Sequence, residues 1–179
     1  MRISNLKLFL KYALPCAETL VERGQVSPDY VDSAIEAVAG GKEIPPGVEK
    51  IFKTALENCE ILAKSSKKDS IDEEIIRNYF LFNHDSTVDS RFCAMGDFDP
   101  IECRTYPGKV LEIKGKIATV ETPLMTFDYR TDFVPDLKVN DFVVVHRDFV
   151  IEKISAGLKE RLDGGFRKRI PISEPAVKP

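Results

Sequence analysis

The sequence predicts an α+β protein: an N-terminal helical domain followed by a small closed sheet of five strands and a short C-terminal helix. Three observations predict it. Up to residue 84 the apolar residues recur three and four positions apart, the spacing of amphipathic helices. From Tyr106 the period falls to two and β-branched residues dominate. Five short strands between residues 106 and 154 offer too little area for two packed sheets, and closing one sheet into a barrel removes its open edges.

The helices follow in order. Leu6, Phe9, Leu10, Ala13, Leu14, Ala17, Leu20 and Val21 form one apolar stripe, interrupted where Pro15 removes an amide hydrogen. Ser27 and Pro28 are an N-cap and a first helical residue, and the stripe Tyr30, Val31, Ala34, Ile35, Val38 ends at Gly40-Gly41. After the turn Pro45-Pro46-Gly47, a third face carries Val48, Ile51, Phe52, Ala55, Leu56, Cys59 and Leu62. A polar link, 64–69, precedes Ser70 and Glu73, which have capping-box spacing. That helix turns Ile71, Ile75, Ile76 and Tyr79 inward and ends near Phe82-Asn83-His84. Residues 1–84 are thus a helical docking domain. Residues 85–102, with Gly96, Pro100 and several acidic groups, are a linker or covering segment.

In the second half, two strands flank Lys114-Gly115-Lys116, a third spans Leu124 to Thr131, a fourth Asp141 to Arg147 and a fifth Phe149 to Ile154. Phe142 to Val145 are apolar on both faces, so this strand is buried on both sides. Ser155 caps a short helix that stops at Gly164-Gly165. The domain is an OB-like β-barrel over residues 103–163, and residues 164–179 are a flexible tail.

Composition narrows the function. The chain has 179 residues, 43% hydrophobic and 31% charged, with no apolar run long enough to cross a bilayer. Lys7 and Lys11 break the apolar N-terminal stretch and no cleavage site follows, so the chain reads as a mature, cytoplasmic protein without a membrane partner. A net charge of −3 argues against nucleic acid as a partner. There is no serine elbow, Gly-rich phosphate loop or Walker lysine, and the leading reading is not an enzyme.

Four cysteines and two histidines carry the remaining chemistry. A cytosolic setting disfavours disulfides, and no CxxC pair marks a structural zinc site. Cys16 and Cys59 lie on apolar helical faces and read as core. Cys103 lies just before Pro107-Gly108 at a barrel rim, near Arg104 and Lys109, where positive charge favours a thiolate suited to a soft metal or to nucleophilic attack. The competing reading is a half-buried small hydrophobe. His146 ends the apolar strand, with Asp148 placed to orient it for metal ligation or proton transfer; a surface histidine is the plainer account. His84 and Cys93, beside Asp85, Asp97 and Asp99, form a second candidate cluster. Tyr106, Phe127 and Tyr129, with the basic run 167–169, are the residues a nucleic-acid-binding barrel would use.

Two segments carry a family resemblance. Cys103-Arg-Thr-Tyr-Pro107-Gly108-Lys109-Val110 places a cysteine just before P-G-K-V, followed by the hairpin 111–120. Val139-Asn140-Asp141 then opens a strand ending in His146, and Phe149-Val-Ile-Glu-Lys153 follows. In this order and spacing the region 103–163 resembles the hydrogenase assembly chaperones of the HypC/HupF/HybG type. The resemblance implies a five-stranded barrel with a C-terminal helix. It implies a transient iron bearing cyanide and carbonyl ligands, handled by Cys103 and His146. It also implies two partners: a HypD-like iron–sulfur maturation protein and a hydrogenase large-subunit precursor. Three departures stand out. Cys103 is internal rather than next to an initiator methionine, Asn140 replaces a glycine, and Arg147-Asp148 replaces a pair of small residues. The alternatives are an OB-like nucleic-acid or protein-binding module without metal chemistry, and an enzyme with Cys103 as nucleophile and His146 as base.

Overall fold

The computed structural model describes residues 1–95 and 100–169. Strands β1 (Arg2–Ile3) and β2 (Ser70–Ile71) pair in parallel and tie the N-terminus to the later helices. Helix α1 (Leu6–Ala13) is capped by Asn5, whose side chain accepts the Leu8 amide at 2.9 Å. At Pro15 the chain tightens into a 3-10 turn, Leu14–Cys16, and resumes as α2 (Ala17–Glu22). Helix α3 (Pro28–Gly40) has its predicted ends: Ser27 accepts the Tyr30 amide, and Gly41 closes the helix at φ 69°. A 3-10 turn at Val48–Ile51 leads into α4 (Lys53–Ser65).

Two helix ends differ from the sequence reading. Ser70 belongs to β2, and the cap of α5 (Glu73–Asn78) is Asp72, which accepts the Ile75 amide at 3.0 Å. The helix also does not end near His84. It widens into a π-turn at Tyr79–Asn83 and continues as α6 (His84–Met95), so the segment expected as linker or cover begins as helix. No proline or glycine lies between residues 72 and 95 to stop it. The π-turn lets Tyr79, Phe80 and His84 all turn inward, and all three are buried.

The second half holds β3 (Thr105–Lys114), β4 (Ile117–Glu121), β5 (Thr126–Arg130), β6 (Phe142–His146), β7 (Phe149–Ile154) and α7 (Ala156–Arg169). Strand β3 runs antiparallel to both β4 and β6; β4 pairs with β5, β6 with β7, and β7 meets β5 in parallel. The five-stranded sheet therefore closes on itself in the order β3-β4-β5-β7-β6. Gly108 is required by that closure: a Cβ there would lie 2.4 Å from Val120 Cγ1 and 3.1 Å from the Glu121 carbonyl oxygen. The start of the expected tail is also helical, since α7 passes through Gly164 and Gly165 to Arg169. Neither glycine takes a positive φ, and a glycine that stays in helical backbone weakens a helix without ending it. The rest of that tail, 170–179, lies outside the described residues.

The helices pack directly on the barrel. One hydrophobic cluster runs from Phe9, Tyr12 and Phe80 to Val143, Val144, Val145 and Ile151. Tyr12 stacks on Phe80 with ring centroids 4.9 Å apart. Thr105 Oγ1 donates to the Phe80 carbonyl at 2.8 Å, and Lys11 Nζ donates to the Phe133 carbonyl at 2.7 Å. Tyr12 Oη donates to Glu152 at 2.5 Å, and Arg77 Nη2 donates to the same carboxylate at 2.9 Å. No helix among the described residues is long and apolar enough to cross a membrane.

Candidate functional site

The site forms where the end of β6 meets the end of α1. The β3–β6 register pairs Thr105 with His146, which brings the imidazole beside the chain at Cys103. His146 Nε2 lies 3.0 Å from the Cys103 carbonyl oxygen. On its other edge, Nδ1 lies 2.9 Å from the carbonyl of Tyr12, in the last turn of α1, where helix carbonyls lose their intrahelical partners. The 3-10 turn at Pro15 then delivers Cys16, whose Sγ is 3.3 Å from His146 Nε2.

His146 is fully buried, and burial pushes its pKa down to about 4, against the pull of the two carbonyls. A neutral ring has one N–H, yet it faces two carbonyl oxygens. When Nδ1 carries the hydrogen and donates to Tyr12, Nε2 is an acceptor: it can take the Cys16 S–H, and it faces the Cys103 carbonyl without a hydrogen bond. His84, at the start of α6, crosses the His146 ring edge to face, with centroids 5.1 Å apart and an interplanar angle of 74°. Burial first, and the neighbouring His146 second, hold its pKa well below the usual histidine value. Its buried Nδ1 has no hydrogen-bond partner. One ligand atom from each of Cys16, His84 and His146 lies within 4.8 Å of the others.

A cavity of about 670 Å³ lies among the helices and reaches Cys16 and His84 of this cluster. Cys16, Tyr79, Phe80, His84 and Cys103 form part of its wall, and Arg23, Lys50 and Lys53 also line it. At the rim, Arg147 holds φ 48°, a left-handed conformation that costs a non-glycine residue roughly 1–2 kcal/mol. Its guanidinium is anchored by Glu18, with Glu102 at 3.8 Å, and Nη1 donates to Cys103 Sγ at 3.5 Å. Burial opposes the Arg147 charge, but the field of Cys103 and Glu18 outweighs it and raises its pKa. A cation at this position compensates negative charge on the Cys103 sulfur.

Residues 103–162 match the model of the HupF/HypC family. This is the family, and nearly the same segment, that the cysteine and histidine motifs indicate. The HupF/HypC segment covers about a third of the chain. It contains Cys103, all five barrel strands and His146, and it excludes Cys16 and His84. No curated protein matches the chain.

Within the HupF/HypC segment, the departures noted in the sequence have structural consequences. Asn140 sits at φ 72° and Arg147 at φ 48°, the backbone region that favours glycine. His146 meets Cys103 through the Cys103 backbone carbonyl, and the rim is covered: Cys103 is 6% exposed and His146 0%. The two carbonyls orient the ring, rather than Asp148, which is exposed. Cys16, read as core, is half-buried and contacts His146. Cys59 is core as expected, and burial pushes its thiol up to about 12. His84 packs against His146, and the cluster expected with Cys93 falls outside the described residues, as do Asp97 and Asp99. Of the three aromatics considered for base stacking, Tyr106 and Tyr129 are buried and Phe127 is 53% exposed. No local pattern marked Cys16, because its role depends on a contact 130 positions away.

Proposed function

We propose that this protein is a hydrogenase maturation chaperone that helps assemble or deliver the iron bearing cyanide and carbonyl ligands to a hydrogenase large-subunit precursor. One observation carries the reading: the HupF/HypC match includes Cys103 and His146, and the Cys103 backbone carbonyl lies 3.0 Å from His146 Nε2. The closed strand order supports an OB-like barrel as the scaffold.

In this reading Cys103 binds the iron as a thiolate, a soft ligand for a soft, low-spin metal. Arg147 balances the charge on its sulfur. His146, kept neutral by burial, turns a nitrogen lone pair toward the cargo. The cavity limits access of bulk water to the iron and leaves one side open for transfer. The protein acts as a carrier rather than an enzyme, in the cytoplasm. It receives its cargo from a HypD-like iron–sulfur protein and passes it to the precursor. The burial of Tyr106 and Tyr129 disfavours the nucleic-acid-binding alternative.

A maturation assay tests the reading. Wild-type protein added to an apo large-subunit precursor with the other maturation proteins supports hydrogenase activity. The Cys103→Ser protein, shown by circular dichroism to be folded, does not. Full activity with that variant contradicts the proposal.

A further inference from the structure

The helical half places two side chains with metal-binding chemistry at the barrel rim, and the role given to Cys103 uses neither. We infer that Cys16 Sγ, His146 Nε2 and a ring nitrogen of His84 together bind one divalent transition-metal ion, so that the chain's own helices complete the coordination of the barrel histidine. The inference rests on the preceding reading for the identity of the natural cargo as iron, and on geometry alone for the site.

Four observations support it. Metal–ligand distances of about 2.0–2.3 Å in a tetrahedral site put neighbouring donors roughly 3.3–3.8 Å apart. Cys16 Sγ and His146 Nε2 are 3.3 Å apart, and the whole set lies within 4.8 Å, so small side-chain movements close it on an ion. His146 already has the outer support that metal-binding histidines use, a backbone carbonyl on its other ring nitrogen. His84 is a buried imidazole on the cavity wall whose Nδ1 makes no hydrogen bond, the buried Asp85 carboxylate lying 4.0 Å from it, whereas buried polar groups are ordinarily paired. Cys16 is half-buried on the same wall, which gives the ion a route in.

The donor set selects the metal class. One sulfur and two imidazoles suit borderline ions such as Fe(II), Co(II) or Zn(II), and not calcium or magnesium. Binding replaces the Cys16 thiol proton, which leaves to solvent, and both histidines ligate as neutral rings. Three protein donors leave a fourth position for another ligand, and the cavity lined by Cys16 and His84 is also lined by Cys103. In this arrangement Cys103 meets an ion already held by the helical half.

Cobalt(II) titration of the reduced, full-length protein tests the site. The expected result is one equivalent bound, with a thiolate-to-cobalt charge-transfer band and two paramagnetically shifted imidazole N–H signals. The chain has two histidines, so two signals assign both. Cys16→Ser, shown by circular dichroism to be folded, weakens binding by about tenfold or more and removes the Cys16 contribution to the band. Cys103→Ser keeps a charge-transfer band. An undiminished band and affinity in Cys16→Ser overturn the inference, as do a single imidazole signal or no band in the wild type. The maturation assay is a separate readout: cobalt binding through Cys16 in a protein inactive in maturation supports this site while removing the chaperone reading.

Discussion

His146 Nε2 lies 3.3 Å from Cys16 Sγ, although 130 positions separate the two residues in the chain. The contact joins a barrel strand to the turn after the first helix. The HupF/HypC segment therefore does not act at an open rim. Its histidine is enclosed by helices of the same chain, which also bring a second imidazole, that of His84, against it.

The enclosure depends on a polar clamp between the two halves. Glu152 on β7 accepts hydrogen bonds from Tyr12 and from Arg77, and its side chain is largely buried. Burial and the Glu152 carboxylate hold the Tyr12 pKa far above its usual value, so the hydroxyl remains a donor. Glu152→Ala leaves Tyr12 without its acceptor and Arg77 with Glu73 alone, and is expected to lower stability by roughly 2–4 kcal/mol in urea unfolding. Tyr12→Phe keeps the Arg77–Glu152 pair and is expected to lose about 1 kcal/mol. Equal losses in the two variants would show that Glu152 does not clamp both elements.

Gly108 is a second fixed point. Because a Cβ there would meet Val120 and the β4 backbone, Gly108→Ala is expected to force β3 away from β4 and cost about 1–3 kcal/mol. Unfolding midpoints measure this directly, and an unchanged midpoint would mean the strands separate without strain. The same contact explains on steric grounds why a glycine follows the proline after Cys103.

Much of the fold was legible because its signals are local. Ser27, Pro28 and Gly41 bound α3 through their own backbone chemistry, and Gly115 at φ 61° turns β3 into β4. The course of α5 into α6 was not legible, because the apolar period fades at His84 while nothing in the sequence stops the helix. Cys103 and His146 were legible as a motif. Their burial was not, since it comes from helices packing over the rim, and neither was Cys16, whose partner is set by that packing.

The cysteines should differ in reactivity for the same reason. Cys59 is sealed in the helical core with its thiol pushed up to about 12, so almost none is thiolate at pH 8. Alkylation of the native, metal-free protein followed by mass spectrometry is expected to label Cys16 well before Cys59. Labelling of both at one rate would contradict this packing.

The proposed cargo is iron with diatomic ligands held at Cys103. Infrared spectroscopy tests it most directly on protein purified without oxygen from cells expressing the maturation pathway. The account predicts carbonyl and cyanide stretching bands together with bound iron in the wild type, and their loss in folded Cys103→Ser. Wild-type protein without these bands, or Cys103→Ser protein with bands of full intensity, would contradict it.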